Sequence, residues 1–105
     1  MDNQSAILIL TLIIIKTGHV LNNSYQLMRI LEWKFRIIDS RKILDKIKEE
    51  GYVDYEIIKG VHYYKLTKEG KILIVEKFDV TFKILLEDYP KEKDFIISLF
   101  NSYQA

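Results

Sequence analysis

The fold of this chain is decided by the stretch Ile43-Leu44-Asp45-Lys46-Ile47-Lys48-Glu49-Glu50-Gly51-Tyr52-Val53, together with Tyr64-Lys65-Leu66-Thr67-Lys68-Glu69-Gly70 a short distance further on. The first part places apolar residues at helical spacing and stops at Gly51, a residue type that ends helices in the left-handed conformation. A strand follows, and the second part passes from a strand to Thr67, a favoured helix N-cap. The stretch therefore predicts a helix, two strands and another helix.

A two-residue turn at Lys59-Gly60 predicts the register of the two strands. The expected pairs are Val53 with Leu66, Asp54 with Lys65, Tyr55 with Tyr64, Glu56 with Tyr63, Ile57 with His62 and Ile58 with Val61. One face of this hairpin is expected to pack on the helices; its residues are Val53, Tyr55, Ile57, His62, Tyr64 and Leu66. The opposite face gains a charge pair between Asp54 and Lys65.

Two helices are expected before this stretch. Residues 6–15 are nearly all apolar and predict a first helix buried on most sides, although their β-branched content also suits a buried strand. The run ends after ten residues, whereas a bilayer-spanning helix needs roughly 20. Asn23 is a candidate N-cap for a second helix, with Gln26 reaching back to it. The apolar face of that helix is expected to contain Leu27, Ile30, Leu31 and Ile38.

Trp33 and Phe35 lie off the apolar face of the second helix, which leaves two interpretations. Either the third helix or the C-terminal region covers them, or they form a patch that binds a partner. Asp39 or Ser40 is expected to cap the third helix, in which Ile43, Leu44 and Ile47 share one face.

The chain after the hairpin predicts more helix. Gly70 would be costly inside a helix, so its position near a helix start indicates close approach to another backbone. The apolar face of this fourth helix is expected to contain Ile72, Leu73, Val75 and Phe78. Pro90 suits the first turn of a last helix, which carries Phe95, Ile96, Leu99, Phe100 and Tyr103. We expect a domain over residues 1–78 and a C-terminal helical extension over residues 79–105, packed on that domain or on a second subunit.

The composition excludes several classes of protein. With 49% hydrophobic residues in 105, the chain can bury a core, which excludes a disordered chain. Sixteen Lys and Arg against 15 Asp and Glu leave a net charge of +1, so any binding of an anionic partner depends on local charge. The absence of cysteine excludes disulfides and thiolate chemistry and fits a cytoplasmic location. No secretory signal is expected, because Asp2 and no basic residue precedes the apolar run.

Catalytic motifs are not found. His19 and His62 have no metal-site spacing relative to other ligand types, and Ser24 and Ser40 stand in no nucleophile motif. No glycine loop for phosphate is present. We therefore expect neither an enzyme nor a bound cofactor or metal, and we expect His62 to be a packed or hydrogen-bonded aromatic residue of the hairpin.

The segments ILDKIKEEGYV and YKLTKEG, in the order given above, resemble those of winged-helix (winged helix-turn-helix) transcription regulators of the MarR, PadR and ArsR kind. The resemblance covers about residues 5–78. It implies an α+β, mostly helical fold in which the third helix, residues 39–50, enters the major groove of double-stranded DNA and Lys59 at the hairpin tip touches the flanking backbone. Two departures stand out: the family usually has an apolar residue where Ser40 stands, and its hairpin tips carry more basic residues.

Local charge favours the same surface. Between Arg29 and Lys48 seven basic and three acidic residues leave a balance of +4. Arginine can fork onto guanine and lysine can neutralise phosphate, so Arg41 is expected to contact a base and Lys42, Lys46 and Arg36 the backbone. The candidate DNA-binding residues are Arg36, Ser40, Arg41, Lys42, Asp45, Lys46 and Lys59. The alternative is a solvated helix face, which the acidic residues Asp45, Glu49 and Glu50 favour.

Two functions follow from these observations. The first is a small DNA-binding transcription regulator, a homodimer whose terminal helices around residues 79–103 place two third helices in successive major-groove turns. The second is a winged-helix module that binds another protein, through the terminal helices or the aromatic surface around Tyr25, Trp33 and Phe35, without DNA. The salt dependence of DNA binding separates the two.

Overall fold

The computed structural model describes residues 1–18 and 22–105. Within them the chain forms five α-helices and a two-stranded antiparallel sheet, so the fold is α+β and mostly helical, as predicted. The elements are α1 (Asn3–Thr17), α2 (Ser24–Trp33), α3 (Ser40–Glu49), β1 (Val53–Ile58), β2 (Val61–Leu66), α4 (Lys68–Asp88) and α5 (Lys93–Gln104), with a 3-10 turn at Pro90–Glu92.

Helix α1 is the centre of the molecule. Its residues 6–15 are all buried, and α2, α3, β2, α4 and α5 pack around it. A helix that is apolar on every side is stable only when it is covered on every side. The single polar residue of this run, Thr11, donates its hydroxyl hydrogen to the carbonyl oxygen of Ile7 at 2.8 Å. The helix prediction for this run is confirmed, and the strand alternative is wrong.

Helix α2 begins where the sequence predicts. The Asn23 side chain accepts a hydrogen bond from the backbone N–H of Gln26 at 3.0 Å, and Leu27 and Leu31 are buried. Ile38, which was expected on the same face, is fully exposed. That expectation is wrong because α2 ends at Trp33, so Ile38 belongs to the connection that leads to α3.

Trp33 and Phe35 have opposite environments, although they are two residues apart. Phe35 is buried against Tyr89 and Phe95, with ring centroids 5.0 and 6.0 Å away. The C-terminal region therefore covers Phe35, as one of the two interpretations predicts. Trp33 is 71% exposed and is touched on its ring face by the Arg29 guanidinium, 4.5 Å from the ring centroid.

The hairpin register is confirmed at all six pairs. Lys59 and Gly60 have φ of 50° and 80°, the positive values that a tight two-residue turn requires. The face expected to pack on the helices does so only at its base, where Val53, Tyr64 and Leu66 are buried. Tyr55 and Ile57 are 50% and 58% exposed, because the outer half of the hairpin extends past the helices.

The residues before α2 extend the sheet at the edge of β2. The backbone N–H of Tyr64 donates to the carbonyl oxygen of Asn22 at 2.7 Å, and the Asn22 side-chain amide donates to the carbonyl oxygen of Tyr64. Asn23 forms an antiparallel bridge with Tyr63. These hydrogen bonds attach the hairpin to the start of α2.

On the other face of the hairpin, Asp54 and Lys65 are paired in register but form no ion pair in the described structure.

Helix α4 starts against the backbone that enters β1. Thr67 accepts a hydrogen bond from the N–H of Gly70 and donates its hydroxyl hydrogen to the carbonyl oxygen of Gly51 at 2.6 Å. A Cβ atom at Gly70 would lie 2.2 Å from the carbonyl oxygen of Tyr52, which confirms the predicted close approach. The buried face of α4 contains Gly70, Ile74, Thr81 and Leu85.

The rest of α4 differs from expectation. Ile72 and Val75, which were expected on the apolar inner face, are 46% and 71% exposed, because the helix turns Ile74 and not these residues towards α1. The helix is continuous through residues 78 and 79, so a division of the chain at that point falls inside a helix. Pro90 opens the 3-10 turn that precedes α5, and α5 buries Ile96, Leu99 and Phe100 against α1 and α4.

Candidate functional site

The outer face of α3 is the most distinctive polar surface of the described chain. Its inner face buries Ser40, Ile43, Leu44 and Ile47 against α1, α2 and β1. Arg41, Lys42, Lys46 and Glu49 are exposed on the other side. Because the apolar residues recur at helical spacing, the packing of α3 necessarily turns its charged residues outwards.

Only part of the positive charge on this face is neutralised within the chain. Lys42 pairs with Asp39 at 3.8 Å, and Lys48 pairs with Asp45 at 3.6 Å, both one helical turn apart. Arg41 and Lys46 form no ion pair with any described residue. The face therefore presents one guanidinium and one ammonium group that are free to bind an external anion, and it also carries the exposed carboxylate of Glu49.

Ser40 does not lie on this face. It is 2% exposed, and its hydroxyl group donates to a carboxylate oxygen of Glu32 at 2.6 Å. This contact joins the end of α2 to the start of α3 and accounts for a polar residue at a buried position. Asp39 is the N-cap residue of α3, which was one of the two expected alternatives. Its side chain makes no capping hydrogen bond and instead pairs with Lys42.

Arg36 and Lys59 are the two candidate residues outside α3. Both are exposed, and both have positive φ, 54° at Arg36 and 50° at Lys59. Arg36 lies in the connection between α2 and α3, whereas Lys59 is at the hairpin tip. The structure thus separates the candidates into α3 itself, the connection that precedes it and the hairpin that follows it.

A column of stacked side chains attaches the hairpin to α3. The ring of Tyr55 stacks on the imidazole of His62, with centroids 5.4 Å apart and an angle of 7° between planes. The ammonium group of Lys48 lies 5.1 Å from the centroid of the Tyr55 ring. Cation–π and stacking contacts at partly exposed sites contribute about 0.5–1 kcal/mol each. His62 is therefore a packed aromatic residue in this column.

A small cavity of about 120 Å³ lies beside this column, between α3, the hairpin and the start of α2. Arg41, Asp45, His62 and Tyr64 line it. Burial raises the pKa of the Tyr64 phenol, and the charge of Asp45 acts in the same direction. Asp45 thus pairs with Lys48 and also lines this cavity.

The described residues contain no group of three or more histidine, aspartate or glutamate side chains arranged to hold a metal ion. His19 lies outside the described residues. No helix in the described ranges is both long and apolar enough to cross a bilayer. Comparison with protein-family models, with characterised proteins and with solved structures finds no match to this chain.

Proposed function

We propose that this chain is a winged-helix DNA-binding protein that regulates transcription in the cytoplasm, with α3 in the major groove and the hairpin against the flanking backbone. The observation that carries the proposal is the open face of α3, on which Arg41 and Lys46 lack an intramolecular carboxylate partner. Cations that no neighbouring acid neutralises are the groups that bind phosphates and base edges.

The dimensions of α3 agree with this role. An α-helix with its side chains is about 10–12 Å in diameter, and the major groove is about 12 Å wide, so α3 fits into it. Arg41 is in the first turn, the part of a recognition helix that contacts base edges. Lys42 and Lys46 are assigned to phosphates beside it. Hydrogen bonds between Asn22 and Tyr64 attach the hairpin to the start of α2. Lys59 at the hairpin tip is assigned to the DNA backbone next to the same groove.

A second copy of the chain is the expected partner, joined through the C-terminal helices. Helix α4 exposes Ile72, Val75 and Val80, which are 46%, 71% and 41% exposed. Burying these side chains between two copies removes apolar surface from water. Two α3 helices then bind one DNA site, which compensates for the weak contacts of each. We expect light scattering to show a dimer that Val75→Glu converts to a monomer, whereas a monomeric parent protein would remove the dimer from the proposal.

The central experiment measures fluorescence anisotropy of a labelled DNA duplex over a range of salt concentrations. Four assigned phosphate contacts per subunit, from Arg36, Lys42, Lys46 and Lys59, predict a slope in log K against log salt of about −3.6 for each bound subunit, or about −7.2 for the proposed dimer on one DNA site. Arg41→Glu together with Lys46→Glu should abolish binding with an unchanged circular dichroism spectrum. Lys91→Glu together with Lys93→Glu is the matched control, because both lysines are exposed and lie outside α3.

A second candidate function rests on Trp33 and Tyr25. These aromatic side chains are 71% and 62% exposed on the outer side of α2, with Arg29 between them in sequence and in contact with Trp33. Exposed large aromatics are enriched where proteins bind one another. The alternative is therefore a winged-helix module that binds another protein through this surface. Failure of the folded protein to bind DNA, or DNA binding that does not depend on salt, would favour this alternative over the regulator.

A further inference from the structure

A groove of about 500 Å³ lies between α3 and α4, above the first turns of α1. Leu8, Ile9 and Ile43 form its apolar floor, and Leu73 and Tyr52 form part of its walls. The groove arises because α3 and α4 both pack on α1 and diverge from each other. Its volume is in the range of sites that bind small organic molecules.

Basic side chains surround the opening of this groove. Lys42 and Lys46 extend from α3, and Lys77 extends from α4 on the opposite side. Lys42 is paired with Asp39, but Lys46 and Lys77 form no ion pair with a described residue. Lys46 of α3 and Lys77 of α4 thus both line the groove, and neither ammonium group is paired with a carboxylate of a described residue.

The two acidic residues that line the groove, Asp2 and Glu50, form no ion pair with its lysines. Asp2 accepts a hydrogen bond from the N–H of Ser5 at 2.8 Å as the cap of α1, and this bond lowers the pKa of its carboxyl group. Glu50 also lines the groove and is not paired with Lys46 or Lys77. The lining carries three lysines and two acidic side chains. Because Lys42 is paired with Asp39, Lys46 and Lys77 are the two lysines beside which an external anion is favoured.

We propose that this groove binds a small organic carboxylate, with its apolar body on Leu8, Ile9 and Ile43 and its carboxylate between Lys46 and Lys77. Apolar contact supplies affinity, and the two ammonium groups fix the orientation through charge-assisted hydrogen bonds. A neutral or cationic molecule with the same body lacks the second contribution.

One consequence of this site rests on the proposed DNA binding. Lys46 is assigned both to the groove and to a DNA phosphate, so a carboxylate that occupies the groove neutralises a group that DNA also needs. Two ligands that use the same cation weaken each other, by the same factor in both directions. The ligand site itself depends only on the groove and is measured on the protein alone.

The experiment titrates the full chain with n-octanoate and, separately, with n-octylammonium, which has the same chain length and the opposite charge. Two-dimensional amide NMR follows both titrations. We expect saturable octanoate binding with a Kd on the order of 1 mM, and shifts confined to residues at the groove. Octylammonium should bind at least about tenfold more weakly, the effect of roughly one lost charge-assisted contact.

Variants test the two lysines directly. Lys46→Gln together with Lys77→Gln should raise the octanoate Kd about tenfold or more, while Lys83→Gln together with Lys91→Gln, at exposed sites outside the groove, leaves it unchanged. Leu73→Gln, on the groove wall, should weaken both probes. Equal binding of the two probes, unchanged affinity in the Lys46 and Lys77 double variant, or shifts without saturation would each overturn the proposal, whether or not the protein binds DNA.

Discussion

Gly70→Ala tests the contact between the start of α4 and the entry to the hairpin. The new Cβ would lie 2.2 Å from the carbonyl oxygen of Tyr52 and 3.2 Å from its carbonyl carbon. One of the two backbones must therefore move by about 1 Å to restore a normal contact. The same carbonyl oxygen accepts a hydrogen bond from the N–H of Thr67 at 3.1 Å, so the movement strains that bond as well.

Three contributions give the size of the effect. Overpacking of this kind costs about 1–3 kcal/mol, and a weakened backbone hydrogen bond costs about 1 kcal/mol. Alanine in place of glycine within a helix returns about 1 kcal/mol. The net loss is about 2 kcal/mol of the free energy of unfolding, which lowers Tm by roughly 8–16 °C in a domain of this size.

The assay is thermal and urea denaturation followed by circular dichroism, with Gly51→Ala as the control. Gly51 has φ of 76° and open space around its Cβ position, so alanine there suffers backbone strain of about 1 kcal/mol and no clash. In amide NMR, Gly70→Ala should shift Tyr52 and Thr67 strongly. A Gly70→Ala variant as stable as the parent protein, or more stable, would refute the close approach.

Three further predictions concern the hairpin, the junction of α2 with α3, and the core. Lys59→Asn keeps a residue type that tolerates the φ of 50° and removes one charge from each subunit, so Tm should hold while the slope of log K against log salt falls in magnitude by about 0.9 per bound subunit. An unchanged slope would show that Lys59 touches no phosphate. Ser40→Ala removes the hydroxyl group that donates to Glu32, and it should lower the free energy of unfolding in urea titrations by about 1 kcal/mol. Glu32→Gln should lower it less, because the amide oxygen still accepts the hydrogen bond. A Ser40→Ala variant with the free energy of unfolding of the parent protein would contradict the contact. Burial raises the pKa of Tyr64, so above about pH 10 the unfolded chain loses that proton first and stability falls as pH rises. The stability of Tyr64→Phe should therefore fall less steeply with rising pH than that of the parent protein. Tyr25→Phe, at an exposed position, is the control and should behave like the parent protein. Parallel curves of stability against pH for the parent protein and Tyr64→Phe would show that Tyr64 has no part in the pH dependence.

The candidate site was only partly accessible from the sequence. The pairs Asp39 with Lys42 and Asp45 with Lys48 are three residues apart, so their contacts follow from helical spacing. The freedom of Arg41 and Lys46 does not, because it depends on what the rest of the chain places beside α3. Lys77, which joins Lys46 at the groove, is separated from it by the whole hairpin and carries no local signal.

Aromatic residues show the same limit. Phe35 is buried by Tyr89 and Phe95 from the far end of the chain, whereas Trp33 and Ile38 remain exposed. The helical period places Trp33 and Phe35 alike off the apolar face of the second helix and places Ile38 on it, so it predicts none of the three exposures. Phe35 is buried because the C-terminal region packs on it, whereas Trp33 and Ile38 lie outside this contact and stay exposed.

The sequence by itself determined the local features of this protein: the caps at Asn23 and Thr67, and the tight turn at Lys59-Gly60 with its strand register. Each depends on backbone geometry within a few residues or across one turn. Only the tertiary structure decided that Tyr55 and Ile57 extend past the helices, that Val75 faces outwards, and that Asn22 joins β2. These outcomes depend on where the other elements pack on α1. Because α1 is apolar on every side, its sequence requires that it be buried but does not determine which element covers each side.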